Sequence, residues 1–155
     1  MNLLTERYIT MRYDPEKKKT VCLRKDRIMV EEDRKPADIL DDLCRRLGSG
    51  LKGRTDSAAS LLNIVKKIPV LVSEDIGLIY FPVTSPANDP ECLWICYNEV
   101  VDIYSYGNDR TEVVLCGGID IIVNASRRSV RMQLKRCEEY IRKLNDNKRE
   151  FFGGV

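Results

Sequence analysis

From residue 70 onward the chain alternates short apolar segments with turn sequences, and then closes on one long stretch of helical period. The segments 70–72, 78–81, 93–96, 100–104, 111–115 and 119–123 are too short for stable helices and too closely spaced for parallel crossovers. The connections carry turn chemistry: 73–77 ends in Gly77, 84–91 holds Pro86 and Pro90, and Gly107-Asn108-Asp109 and Gly117-Gly118 join the last three segments. This pattern predicts an antiparallel meander. Beyond it, Val130, Leu134, Cys137, Ile141 and Leu144 recur at helical spacing behind Ser126, a natural N-cap. A long helix over 126–144, packed on the sheet by that stripe, is expected, with a polar tail after it.

The upstream third reads differently. Segments 7–13 and 20–24 suggest two strands around a polar turn, and 27–31 a third. Pro36 suits a first helical turn, and Ile39, Leu40, Leu43 and Leu47 give that helix an apolar face that Gly48 ends. The run 48–54 (GSGLKGR) reads as a glycine-rich loop. A second short helix is expected after it, capped by Asp56 or Ser57, with Leu61, Leu62 and Val65 buried and Pro69 as its stop. The resulting class is α+β: an antiparallel meander, two short helices after N-terminal strands, and a long C-terminal helix packed on the sheet. The expected layout is a strand extension over 1–35, a main domain over 36–146 and a flexible tail over 147–155.

With 155 residues, 43% of them hydrophobic, the chain can bury a core without staples. No apolar run approaches the roughly 20 residues of a membrane helix, and 1–13 lacks a signal-type apolar core. The expectation is a cytoplasmic protein without a membrane partner. Its six cysteines then read as reduced. The absence of histidine removes the commonest general base and most zinc chemistry, and Cys92 and Cys96 form a lone pair of cysteines with no second pair. No cofactor, metal site or enzymatic activity is expected.

Charge is strongly segregated. Residues 44–67 hold six Lys/Arg and one Asp, 69–126 one Lys/Arg against nine Asp/Glu, and 127–155 nine Lys/Arg against four Asp/Glu. Two basic segments flanking an acidic one suggest a polyanion-binding face. A competing account is that the basic segments neutralise the acidic middle within the fold. In the first segment the candidates are Arg45, Arg46, Ser49, Lys52 and Arg54, with Lys66 and Lys67 further on. In the last they are Arg127, Arg128, Arg131 and Lys135. Arg127 and Arg128 open a helix, where the partial positive charge of its N-terminus disfavours cations by a few tenths of a kcal/mol each. Glu112 or Asp120 could neutralise them; phosphate is the other obvious partner.

Short motifs give the chain a family resemblance. Cys44, Arg45, Gly48, Ser49, Gly53 and Arg54 match a Cys-Arg-x-x-Gly-Ser-x3-Gly-Arg segment of the ComK family. Lys67 and Pro69, then Ile79, Phe81, Pro82 and Ser85, then Pro90, Cys92, Trp94 and Ile95 follow the family order. Thr111, Glu112, Val113 and Gly118, and the helix with Ser126, Ser129 and Gln133, complete it. The similarity runs over about residues 44–136.

The resemblance implies a bacterial transcription activator of competence or related genes, acting as a homo-oligomer on double-stranded DNA. It implies recognition of AT-rich boxes largely through the minor groove, which separates A·T from G·C and attracts arginine where it is narrow. RNA polymerase and a proteolytic adaptor are further implied partners, although 148–155 has no clear match to the family tail that serves as the adaptor's handle. The alternative is a pleckstrin-homology-like module binding anionic lipid or a protein partner without DNA.

Overall fold

The computed structural model describes Asn2 and residues 6–153. Its class is α+β, with three α-helices and two antiparallel sheets. The larger sheet has six strands in the order β3-β2-β1-β6-β5-β4: β1 (Tyr8–Asp14), β2 (Lys19–Arg24), β3 (Met29–Glu32), β4 (Val70–Ser73), β5 (Leu78–Pro82) and β6 (Leu93–Cys96). The smaller sheet is the meander β7 (Val100–Tyr106), β8 (Arg110–Leu115) and β9 (Ile119–Val123). The expected single meander is thus divided, because the 3-10 turn Tyr97–Glu99 redirects the chain between β6 and β7. The N-terminal strands pair through β1 with β6, Met11 opposite Trp94.

Alternation along the strands explains how the helices attach. All five residues of β5 are buried. Leu78 and Tyr80 join Met11, Val70, Val72 and Trp94 under α1 (Pro36–Arg46), whose Ile39, Leu40 and Leu43 complete that core. Ile79 and Phe81 face the other way, into a second core with Leu71, Ile95, Val113, Leu115 and α3 (Arg127–Phe151). The six-stranded sheet is therefore covered on both faces, and the small sheet shares α3 with it. In β8 the inward residues Thr111, Val113 and Leu115 are buried, which turns Glu112 and Val114 outward. The β8–β9 connection needs two successive left-handed residues, supplied by Gly117 and Gly118 with φ of 83° and 75°.

Three expectations are corrected. α2 spans Leu51–Leu62, so it begins before Asp56 and Ser57. Its N-cap is Gly50, without a side-chain cap; Asp41 of α1 instead accepts the Leu51 N–H at 3.0 Å. The glycine-rich loop thus shrinks to 47–50. Gly48 (φ 93°) closes α1, with Ser49 N–H bonded to the Cys44 carbonyl and Gly48 N–H to that of Arg45. Second, Val65 is not a core residue: the helix has already ended at Asn63 in a left-handed conformation, and Val65 is 88% exposed. Third, α3 does not fray at Leu144 but continues to Phe151. Arg142 reaches Asp146 one turn on, and Lys148 pairs with Glu74 at the start of the β4–β5 turn, which holds the added turns in place. Residues 154 and 155 of the expected tail lie outside the described residues.

Candidate nucleic-acid interface

The two basic segments meet different fates. In α1, Arg45 lies one turn after Asp41 and Arg46 one turn after Asp42, and both pairs close, at 2.8 and 3.0 Å. In α2, Lys52 pairs in the same way with Asp56 at 2.7 Å. Arg54 is inside the first turn of α2 and largely covered, its side chain 18% exposed. It donates to Ser49 Oγ and to Glu74, both at 3.0 Å. Ser49 is thereby occupied, and its hydroxyl also meets the Cys44 carbonyl. Glu74 takes Lys148 as well as Arg54, and these hydrogen bonds hold its carboxyl below the usual range. Every candidate from Arg45 to Arg54 has a partner inside the protein.

On the first half of α3 the opposite holds. Ser126 caps the helix, its Oγ accepting the Ser129 N–H at 3.2 Å. Val130, Gln133, Cys137 and Tyr140 are buried against the sheets, which leaves Arg128, Arg131 and Lys135 exposed. Among the described residues, no carboxylate lies within ion-pair distance of Arg127, Arg128, Arg131, Lys135, Lys66 or Lys67. Glu112 and Asp120 do not neutralise the arginines, since Glu112 stands on the face of β8 turned away from α3. Asp102 senses one of them: the Arg127 cation helps to lower its carboxyl, after the Ile103 N–H and the Tyr104 hydroxyl. Arg127, Arg131 and Lys135 line one side of a groove of about 460 Å3, with Tyr97, Asp102 and Ile103 on the other.

The 66–67 segment is brought to the same helix. Lys67 Nζ donates to Ser129 Oγ at 2.9 Å. Gln133 donates to the Lys67 carbonyl at 2.9 Å and the Pro82 carbonyl at 2.7 Å. Arg136 spans the carbonyls of Lys66 and Lys67, at 3.1 and 3.3 Å, and the Gln133 amide oxygen at 3.0 Å. Burial, and then the Arg136 cation beside it, pull the Lys67 ammonium below its ordinary pKa. An added anion would relieve that like-charge crowding.

The structure thus joins Lys66 and Lys67 to Arg127, Arg128, Arg131 and Lys135. Arg54 is tied instead, through Glu74, to Lys148 near the other end of α3. Nineteen residues separate Ser129 from Lys148, about 28 Å of helix. Sequence reasoning missed Gln133 and Arg136 as the residues that seat the 66–67 segment. It also passed over the i,i+4 carboxylates Asp41, Asp42 and Asp56, whose spacing was available as a signal of pairing.

Among the described residues no group of His, Cys, Asp and Glu is arranged to hold a metal ion. Of the helices described, none is long and apolar enough to cross a membrane. The buried cysteines are free thiols; burial pushes Cys22 and Cys96 up to about 12.

Comparison with known proteins places this geometry in context. The family model described as ComK protein matches residues 7–149. A curated relative from Bacillus subtilis (strain 168), named competence transcription factor, is 30% identical over 112 residues. That alignment covers 72% of this chain and 58% of the relative. No solved structure matches the chain. With a family match over nearly all of the described residues, strands β1 to β3 included, the chain belongs to the ComK family.

Proposed function

We propose that the protein is a transcriptional regulator of competence or related genes that binds double-stranded DNA in the cytoplasm. The observation that carries the reading is that Lys66, Lys67, Arg127, Arg128, Arg131 and Lys135 have no carboxylate partner among the described residues. Two of them occupy the helix end where cations are least favourable, so their placement is explained by a partner rather than by local stability. Phosphate oxygens are the natural partner: they accept from arginine and lysine, and helix N-terminal N–H groups add to the attraction. Family membership and the relative's name support the same reading.

On this reading the contacts to AT-rich boxes run largely through the minor groove, where a narrow A-tract concentrates negative potential and attracts arginine. A homo-oligomer on DNA would repeat the surface along successive boxes. Arg45, Arg46, Lys52 and Arg54 would add to it only by opening the ion pairs they already make.

The test is binding to duplexes with two A/T tracts against G/C-matched controls at several salt concentrations. The expected result is A/T preference and affinity that falls steeply with salt. Absent binding, binding without preference or salt dependence, or displacement of the DNA by anionic lipid vesicles would overturn the reading.

A further inference from the structure

The segment between α2 and β4 carries a feature that phosphate binding does not use. Val65 is at the bend of this segment and is 88% exposed, more than any other large hydrophobic residue described. Lys66 and Lys67 follow it directly, and Arg128 and Arg131 stand on the helix to which the segment is tied. The backbone around Val65 is held: Asn63 and Lys67 take left-handed conformations with φ of 54° and 53°. Gln133 and Arg136 hold the carbonyls of Lys66 and Lys67, and Ser129 holds the Lys67 ammonium. The segment is an apolar tip followed by two lysines, on a base held by hydrogen bonds and at the edge of a groove lined by Leu51, Pro86 and Trp94.

Resting on the DNA-binding reading above, we infer that Val65 is a specificity-determining residue, an apolar tip that lies on the floor of the minor groove and rejects guanine. α3 is packed on the sheets by its buried stripe, and its Ser129, Gln133 and Arg136 hold the 66–67 segment, so that the Val65 tip projects from a segment fixed to the helix that carries the unpaired arginines. The floor of an A·T minor groove presents only acceptors, and a G·C pair adds the guanine 2-amino donor. An apolar side chain seated there leaves the acceptors of either pair uncompensated, but at G·C it also meets the amino group, which projects into the groove and is left without an acceptor. Lys66 and Lys67 would meet the phosphates flanking the tip. Because the loop is already ordered, seating it adds little conformational cost.

The experiment uses the full chain and three duplexes of one design: an A/T tract, the same tract with a central G·C pair, and the same tract with an inosine·cytosine pair there. The last keeps the major-groove edge of G·C but lacks the 2-amino group. The protein is expected to bind the A/T and inosine duplexes alike and the G·C duplex about tenfold more weakly. Val65→Ser, whose hydroxyl can accept from the amino group, should lose most of that discrimination while keeping the same salt dependence. Val65→Ala should keep part of it. An unchanged A/T-to-G·C ratio in Val65→Ser overturns the inference and leaves DNA binding standing. That is also the outcome if Val65 instead serves as the rim of the neighbouring apolar groove over Leu51 and Trp94, for a protein partner. Rejection of the inosine duplex as strongly as the G·C duplex overturns it too. No preference for A/T in the unaltered protein removes the reading on which the inference rests.

Discussion

Arg45 and Arg131 are both exposed arginines on amphipathic helices, and both lie in the basic segments that frame an acidic middle. Arg45 has Asp41 one turn behind it and closes a 2.8 Å pair. Arg131 has no carboxylate within ion-pair distance among the described residues. The same contrast runs through both segments: Arg46, Lys52 and Arg54 are paired with Asp42, Asp56 and Glu74, and Arg142 and Lys148 with Asp146 and Glu74, whereas Lys66, Arg127, Arg128 and Lys135 have no carboxylate partner among the described residues. Net charge per segment therefore does not say which cations remain free. What a polyanion meets is charge left over after the fold has used its own carboxylates.

The comparison can be broken most sharply by charge reversal on the unpaired side. Replacing Arg128 and Arg131 together by glutamate should weaken binding to an A/T-tract duplex by about a hundredfold or more. Thermal stability should hold or rise slightly, because acidic residues suit the start of a helix. An unfolded double variant would show instead that these arginines support the fold.

Arg54 tests the paired side. Arg54→Ala removes the donor to Ser49 and one of the two cations on Glu74, which keeps Lys148, and should cost about 1 kcal/mol in urea unfolding. It should leave the salt dependence of DNA binding unchanged. A shallower salt dependence at unaltered stability would move Arg54 to the other class.

Acidification probes the same pairing more gently. The Glu74 carboxyl is held below its ordinary value of 4.5, first by its bond to Lys148 and then by Arg54. At Glu99, burial works against the ionised form, but hydrogen bonds from Lys25 and Arg7 prevail, and it too lies below 4.5. A carboxylate with a lowered folded pKa binds fewer protons folded than unfolded. Its stabilisation is complete above the ordinary value and is lost as pH falls through the folded one. The urea midpoint should thus hold between about pH 7 and pH 5 and drop below about pH 4, and Arg54→Ala should shrink that drop. The smallest effect belongs to the exposed pairs. Lys52→Ala should leave both the urea midpoint and DNA binding unchanged.

Much of the fold was legible because local signals agreed. Ser126 capped the long helix as its sequence suggested, the stripe from Val130 through Cys137 packed inward, and Gly48 and the Gly117-Gly118 turn took the conformations only glycine adopts cheaply. What was not legible was long-range. The start of α2 at Leu51 depends on Asp41 from the preceding helix, so the local cap signal at Asp56 and Ser57 pointed too far along the chain. The last turns of α3 are held by Glu74 from a distant hairpin. The candidate site shows the same limit. Its basic residues could be named from the sequence, but which of them remained unpaired depended on carboxylates. Those at Asp41, Asp42 and Asp56 were one turn away, whereas Glu74 was twenty residues from Arg54.

The most direct measurement sets the two regions against each other in one salt titration of binding to the A/T-tract duplex. One variant neutralises Arg128, Arg131 and Lys135, the other Arg45, Arg46 and Lys52, all to alanine. Each phosphate that the protein no longer neutralises lowers the slope of log affinity against log salt by about 0.9. The account predicts a slope reduced by more than two in the first variant and a slope unchanged in the second. The reverse pattern, with the slope held in the α3 variant and reduced in the α1–α2 variant, would contradict it.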